Sequence, residues 1–196
     1  MPQLWVIGGP NGAGKTTVAD RWFADRISVV SPDSIAARRG VTAVQAGKLA
    51  IEEQEKHLAE QESFAVDTTF SGKRELALMR AAKAAGYKVN LVFIGVPEPD
   101  LCMARIVQRV ADGGHWVPPD DVRRRHARSL ANFAEGFAIA DRTFVLDNAA
   151  LRPRLILSWE NGRIRQHSCR IPQWALSAFP ADLLGRLHVS DSWNTL

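Results

Sequence analysis

The sequence predicts an α/β protein, a parallel sheet of five strands between two layers of helices, with a small C-terminal appendage. Three observations predict it. Short apolar, β-branched runs alternate with helical patterns along the first 150 residues. The run from Tyr87 to Val96 becomes almost continuously apolar toward its end, as in a strand covered on both faces. The first apolar run, Leu4-Trp5-Val6-Ile7, feeds a glycine-rich turn that opens directly into a helical pattern.

That turn runs Gly8-Gly9-Pro10-Asn11-Gly12-Ala13-Gly14-Lys15-Thr16-Thr17, and Gly9, Gly14, Lys15 and Thr16 satisfy G-x-x-x-x-G-K-[ST], the phosphate-binding loop of nucleoside triphosphate enzymes. Glycines let successive backbone N–H groups point inward around phosphates, and the following helix offers its positive end. The candidate ATP contacts are Gly9, Asn11, Gly12, Ala13, Gly14, Lys15, Thr16 and Thr17. Lys15 is expected to reach the β/γ-phosphates and Thr16 to ligate Mg²⁺. An ordinary turn would also use Gly and Asn for positive φ, but the strand before and the helix after select the phosphate loop. The loop does not name an acceptor for the phosphate.

At 196 residues the chain suits one domain. The expected organisation is a kinase-like core over 1–150, with a lid at about 105–128, and a hairpin and helix over 151–196 packed on it. Apolar content of 46% and charged content of 23% are those of a globular protein, with no run of the ~18 apolar residues a membrane span needs. The N-terminus shows no charged leader, so a cytoplasmic location and no membrane partner are expected. Cys102 and Cys169 read as buried free thiols, and His57, His115, His126, His167 and His188 show no paired metal-ligand spacing. The net charge of +4 suits a phosphate-bearing ligand and equally suits weak association with nucleic acid.

After the loop, Lys15 to Ala24 reads as a helix, and Arg26 to Ser31 as a short strand ending at Pro32. Asp33 follows, just before a helical turn from Ser34 to Arg39, at the sheet edge where open α/β sheets bind ligands. By position alone Asp33 is either a helix cap or a catalytic base. Thr42 caps a longer helix carrying Val44, Ile51 and Leu58 on one face, with its charges on a solvated face. Phe64 to Phe70 is a strand ending in Asp67, Thr68 and Thr69. An acid there orders Mg²⁺ in many nucleotide-binding sheets and binds the acceptor in others; the plainer alternative is a turn-stabilising Asp. A helix spans Lys73 to Ala85, and the central strand Tyr87 to Val96 comes next.

Pro97-Glu98-Pro99-Asp100 then starts a helix through Leu101, Ile106 and Val110, broken at Gly113-Gly114 and Pro118-Pro119, with another helix from about Val122 to Phe137. This hairpin carries Arg105, Arg109, Arg123, Arg124, Arg125 and Arg128. Guanidinium groups are natural clamps for phosphoryl oxygens, so it reads as a closing lid in which two arginines touch phosphates and the rest face solvent. Arg142 to Asn148 is the last core strand. Leu155 to Trp159 and Arg163 to His167 flank Asn161-Gly162 as a β-hairpin, and a helix with Trp174, Phe179, Leu183 and Leu187 closes the chain.

Three stretches together resemble the zeta toxin family of phosphate-loop kinases. They are Gly8 to Thr17; Ser31-Pro32-Asp33 before a short helix with Arg38; and Arg109-Val110, Gly113-Gly114-His115-Trp116-Val117-Pro118, Arg124-Arg125-His126 and Ser129-Leu130. The resemblance covers about residues 3–148. It implies an adenylate kinase-like fold and transfer of phosphate from ATP to a sugar hydroxyl of UDP-N-acetylglucosamine, by a toxin held by a small antitoxin protein. It makes Asp33 the base, and sets Asp67, Thr68 and Thr69 where the family has an acceptor-binding glutamate and a small polar stretch. Two departures bear on the acceptor. Asp67 is one methylene shorter than that glutamate, and His115 stands where sugar-kinase toxins carry a lid arginine, a charge that Arg125 could supply.

The expectation is therefore an ATP- and Mg²⁺-dependent kinase acting on a hydroxyl of a small sugar- or nucleotide-containing acceptor. Asp33 is its base, Lys15, Arg109 and Arg125 stabilise the transferring phosphoryl group, and Asp67, Thr68, Thr69 and His115 hold the acceptor. No nucleic-acid partner is expected. The rival readings are a nucleic-acid-associated ATPase or polynucleotide kinase working through Arg123, Arg124, Arg125 and Arg128, and a non-catalytic ATP-binding switch.

Overall fold

The structure is a computed structural model that describes residues 1–23, 26–114 and 116–191. In chain order its elements are β1 (Gln3–Gly8), α1 (Lys15–Phe23), β2 (Ser28–Val30), α2 (Pro32–Arg39), α3 (Ala43–Ala59), β3 (Phe64–Thr68), α4 (Arg74–Ala84) and β4 (Lys88–Gly95). Then come α5 (Pro99–Ala111), α6 (Pro119–Ile139), β5 (Arg142–Asp147), β6 (Arg154–Glu160), β7 (Arg163–His167), α7 (Gln173–Ala178) and α8 (Ala181–Asp191). Among the described residues no helix is long and apolar enough to cross a membrane.

Among the described residues the strands join one sheet in the order β2-β3-β1-β4-β5-β6-β7. The first five are parallel, as the sequence predicts. The hairpin, expected as an appendage, continues the sheet instead: β6 pairs antiparallel with β5 and β7 with β6, which makes seven strands. The physical reason is that β5 would otherwise present an open edge. Ile156 and Leu157 of β6 are fully buried there, and the hairpin turns at Asn161 and Gly162, both at positive φ.

Period-two alternation divides the strands between two cores. Leu4 and Val6 of β1 and Val89, Leu91 and Phe93 of β4 pack with Met79, Phe133 and Phe179 on one face. Ile7, Val92 and Ile94 pack with Val18, Phe23 and Ile106 on the other. Two covered faces explain why β4 reads as a continuous apolar run.

Four local details differ from the sequence reading. α2 starts at Pro32 and not Ser34, because Ser31 takes the cap position at φ −132° and ψ 121°, and Pro32 fits the first helical position. α6 is longer at both ends than expected, beginning at Pro119. The single C-terminal helix is two, separated at Phe179 and Pro180, since proline offers no N–H to continue α7. Cys102 is buried as expected, whereas Cys169 lies exposed in the segment after β7.

Candidate active site

The site lies at the C-terminal edge of the parallel strands, where β1 has β3 on one side and β4 on the other. The phosphate loop fills the gap between β1 and α1. Gly9 and Gly14 show why the loop needs glycine. A Cβ on Gly9, at φ 150°, would lie 2.1 Å from the Ile94 carbonyl oxygen, and one on Gly14, at φ 91°, would lie 2.5 Å from Asn148 Nδ2. The second contact reflects a pin: Asn148 Nδ2 donates to the Ala13 carbonyl at 2.8 Å, while the Asn148 N–H donates to Gly95 O at 3.0 Å. Lys15 lies back across the loop, its ammonium donating to Pro10 O at 3.1 Å.

Thr16, the second residue of α1, lies beside the end of β3, because Ile7 pairs with Asp67 and Gly8 with Thr68 in parallel register. Its hydroxyl donates to Asp67 Oδ2 at 3.3 Å. Burial pushes the Asp67 carboxyl above the usual carboxylate range; Lys15 pulls it back, and the neighbouring charge of Asp33 raises it further. Thr16 and Asp67 thus present two oxygen donors next to the lysine, a chemistry suited to a hard cation. Asp33 is exposed in the first turn of α2, and because Ser31 Oγ takes the Ser34 N–H at the cap, the Asp33 carboxylate is not consumed by capping.

Two cavities flank the loop. One, of about 600 Å³, is lined by Asp33, Asp67, Thr68, Thr69 and Arg125, with Lys48, Ile51 and Gln54 of α3 on its far wall. The other, of about 640 Å³, lies between α5 and residues 148–153, lined by Thr17, Leu101, Arg105, Ile106 and Asn148. Gly12, Lys15, Thr16 and Arg109 line both.

The arginine hairpin is α5 and α6. Arg109 lies between the two cavities, and Arg125 Nη1 donates to Asn11 Oδ1 at 3.5 Å. Arg105 belongs to the second cavity, where Nη2 donates to Ala150 O at 3.2 Å. Arg123 and Arg124 pair with Asp120 and Asp121 on the exposed start of α6. His126 is buried with Nε2 3.1 Å from Val96 O, so it anchors α6 to the end of β4. His115 lies outside the described residues.

The structure gathers Lys15, Thr16, Asp33, Asp67, Thr68, Thr69, Arg109 and Arg125 around one cavity. Sequence reasoning missed Asn148, which carries no motif and directly follows β5, and Lys48 and Gln54, which the reading of α3 did not single out. Residues 148–153, the wall of the second cavity, gave no local signal beyond their place after β5.

Strand, glycine loop, lysine and threonine make this a phosphate-loop α/β protein with helices on both faces of its sheet. Residues 4–135 match the AAA domain family, and the chain belongs to that family. It is 30% identical over 137 residues to an uncharacterized protein of Haemophilus influenzae, covering 63% of this chain and 97% of that one. Among solved structures it is similar to a chain of the AvrRxo1-ORF1:-ORF2 crystal structure with ATP, at a TM-score of 0.69 and 18% identity over 84% of this chain; it spans 60% of that protein's length. It is also similar to a chain of the PezAT chromosomal toxin-antitoxin system of Streptococcus pneumoniae, with a TM-score of 0.59, 17% identity, and coverage of 98% of this chain and 85% of that one. At these identities the likeness is one of fold.

Proposed function

We propose that this chain is an ATP-dependent small-molecule kinase, which transfers the γ-phosphoryl group to a hydroxyl of a sugar- or nucleotide-containing acceptor of the UDP-N-acetylglucosamine kind. The observation that carries this reading is the pair of cavities meeting at Gly12, Lys15, Thr16 and Arg109. A hydrolase needs room for one nucleotide and a water, whereas two substrate-sized spaces joined at the lysine suit a donor and an acceptor in line. ATP occupies the side of Arg105 and Asn148, and the acceptor the side of Asp33 and α3.

In this reaction the acceptor hydroxyl gives its proton to Asp33 as its oxygen attacks the γ-phosphorus. The bond from that phosphorus to the β–γ bridging oxygen breaks, and ADP leaves. Lys15, Arg109 and Arg125 neutralise the charge spread over the transferring group. Thr16 and Asp67 would hold Mg²⁺, which would supply positive charge to offset that of the phosphates. Their mutual hydrogen bond favours this role for Asp67 over direct contact with the acceptor. The pairing of Arg123 and Arg124 with Asp120 and Asp121 removes much of the basic face that a polynucleotide kinase would use. The toxin-antitoxin neighbour supports looking for a small antitoxin partner.

The test is incubation with Mg-ATP and a panel of nucleotide sugars, nucleosides and small polyols, followed by phosphorus NMR. A new phosphomonoester resonance is expected. In Asp33→Asn it should fall by about 10²-fold or more while ATP binding stays near wild type. Wild-type transfer in that variant would remove Asp33 as base.

A further inference from the structure

The turn between β3 and α4 forms one wall of the acceptor cavity through Thr69, Ser71 and Gly72, and it is held in a shape its own sequence does not favour. Phe70 has φ 54°, in the left-handed region that a bulky side chain avoids. What holds it there is tertiary. The Phe70 ring is fully buried, edge-on to Phe93 at 6.0 Å, in space left by Gly136, where a Cβ would come within 2.5 Å of Phe70 Cζ.

The backbone of the turn is held by one side chain of α6. Asn132 Nδ2 donates to both Phe70 O and Gly72 O at 3.1 Å, and Asn132 Oδ1 accepts from Lys73 Nζ at 3.0 Å. Asn132 is buried and both ends of its amide are engaged with this turn. On the inner side, Thr68 Oγ1 accepts the Phe70 N–H at 3.1 Å and donates to Glu75 Oε1 at 2.7 Å. The turn so fixed brings Thr69 Oγ1 and Ser71 Oγ to 2.8 Å of each other. Asn132 also lies two helical turns beyond Arg125, on the same face of α6.

We infer that Asn132 is a positioning residue for the acceptor: it fixes the 69–72 turn to α6, so that the Thr69 and Ser71 hydroxyls and the Arg125 guanidinium keep one spatial relation. The paired hydroxyls suit an acceptor that presents hydroxyl or amide groups at this wall, and ring or chain carbons to Ile51 and Leu78. The inference rests on the acceptor reading of this cavity.

The test is Asn132→Ala in the full chain, with whichever member of the nucleotide-sugar, nucleoside and polyol panel the wild type phosphorylates. Acceptor KM is expected to rise by about 10-fold or more with ATP KM within about twofold, since misplacing one wall leaves the donor side intact. Amide hydrogen exchange should quicken by about 10-fold over residues 69–73 and stay unchanged over 9–17. A rise in ATP KM parallel to that of the acceptor, or unchanged exchange over 69–73, overturns the role. Wild-type inactivity on the whole panel counts against the kinase reading and is read separately, because the exchange measurement still decides whether Asn132 holds the turn. If Asn132→Ala does not fold, Lys73→Met removes one of the three bonds from an exposed side chain. A rise of about threefold in acceptor KM is then expected, and an unchanged value overturns the proposal.

Discussion

Two carboxylates at opposite ends of the sheet show how differently those ends are built. At the end where β4 and β5 begin, Glu160 accepts from Lys88 Nζ at 3.0 Å and from Arg142 Nε, and Arg165 lies 3.5 Å from its other oxygen. Hydrogen bonds from Arg142 and Lys88 draw its pKa down to about 2. Nearby, Asp141 accepts the Val89 N–H at 2.8 Å and pairs with Lys83 at 3.0 Å. At the other end, where β1 and β3 finish, Asp67 accepts from the Thr16 hydroxyl at 3.3 Å, and burial moves its pKa up. One end is closed by charges that satisfy one another. The other holds charge in reserve, as a site must when its partners are phosphates and a metal ion.

The largest expected effect breaks that reserve at its centre. Lys15→Ala should lower turnover by about 10³-fold or more, because no other ammonium lies in the phosphate loop to follow the charge into the transition state. Its far-ultraviolet circular dichroism should match wild type, since the lysine's ammonium bonds a loop carbonyl and, among the described residues, no helix or strand. Preserved turnover would mean that the loop is not where phosphate is transferred.

Next comes the closed end. Glu160→Gln removes the charge that Lys88 and Arg142 share, and is expected to lower the unfolding midpoint at pH 7 by a few degrees with ATP KM unchanged. The sign follows from the lowered pKa. The contribution is present above the ordinary carboxylate range and is lost as pH falls toward about 2, where wild type and variant should converge. Thermal melts across pH check this. A gap that persists in acid would point to packing rather than charge.

The same contrast marks how far the sequence could be read. The phosphate loop was legible because its requirements are local: glycines at fixed offsets, then lysine and threonine. The parallel strands were legible because burial on both faces leaves an apolar run in one segment. What was not legible depends on residues far apart in the chain. Asn148 pins Ala13 across 135 positions, and Asn132 grips Phe70 across 62. Trp174 Nε1 donates to Asp147 Oδ1 at 3.1 Å, which ties α7 to the strand beside the loop, and nothing in either segment announces the other. The hairpin's local turn was readable while its partner, the open edge of β5, was not. Asp33 shows the shortest such failure: a two-residue shift in the start of α2 put the cap at Ser31 and freed the carboxylate.

The smallest effect on the fold sharpens the comparison most, because its sign is opposite to that at Glu160. Burial raises the Asp67 pKa, so the folded chain holds its proton more tightly than the unfolded chain does. Above the ordinary carboxylate range the unfolded state ionises more readily, and the charge on Asp67 works against folding. Asp67→Asn removes that charge while keeping an oxygen for the Thr16 hydroxyl. It should therefore raise the unfolding midpoint at pH 7 by roughly 2 °C, with the gain shrinking to nothing as pH falls below the carboxylate range and both forms become neutral. The same variant should lose phosphoryl transfer, since an amide oxygen is a poor ligand for Mg²⁺. Stability gained at neutral pH together with activity lost is what a carboxylate kept for function predicts. A midpoint that falls at pH 7 would mean that Asp67 is satisfied by the protein alone, and would make the two ends of the sheet alike.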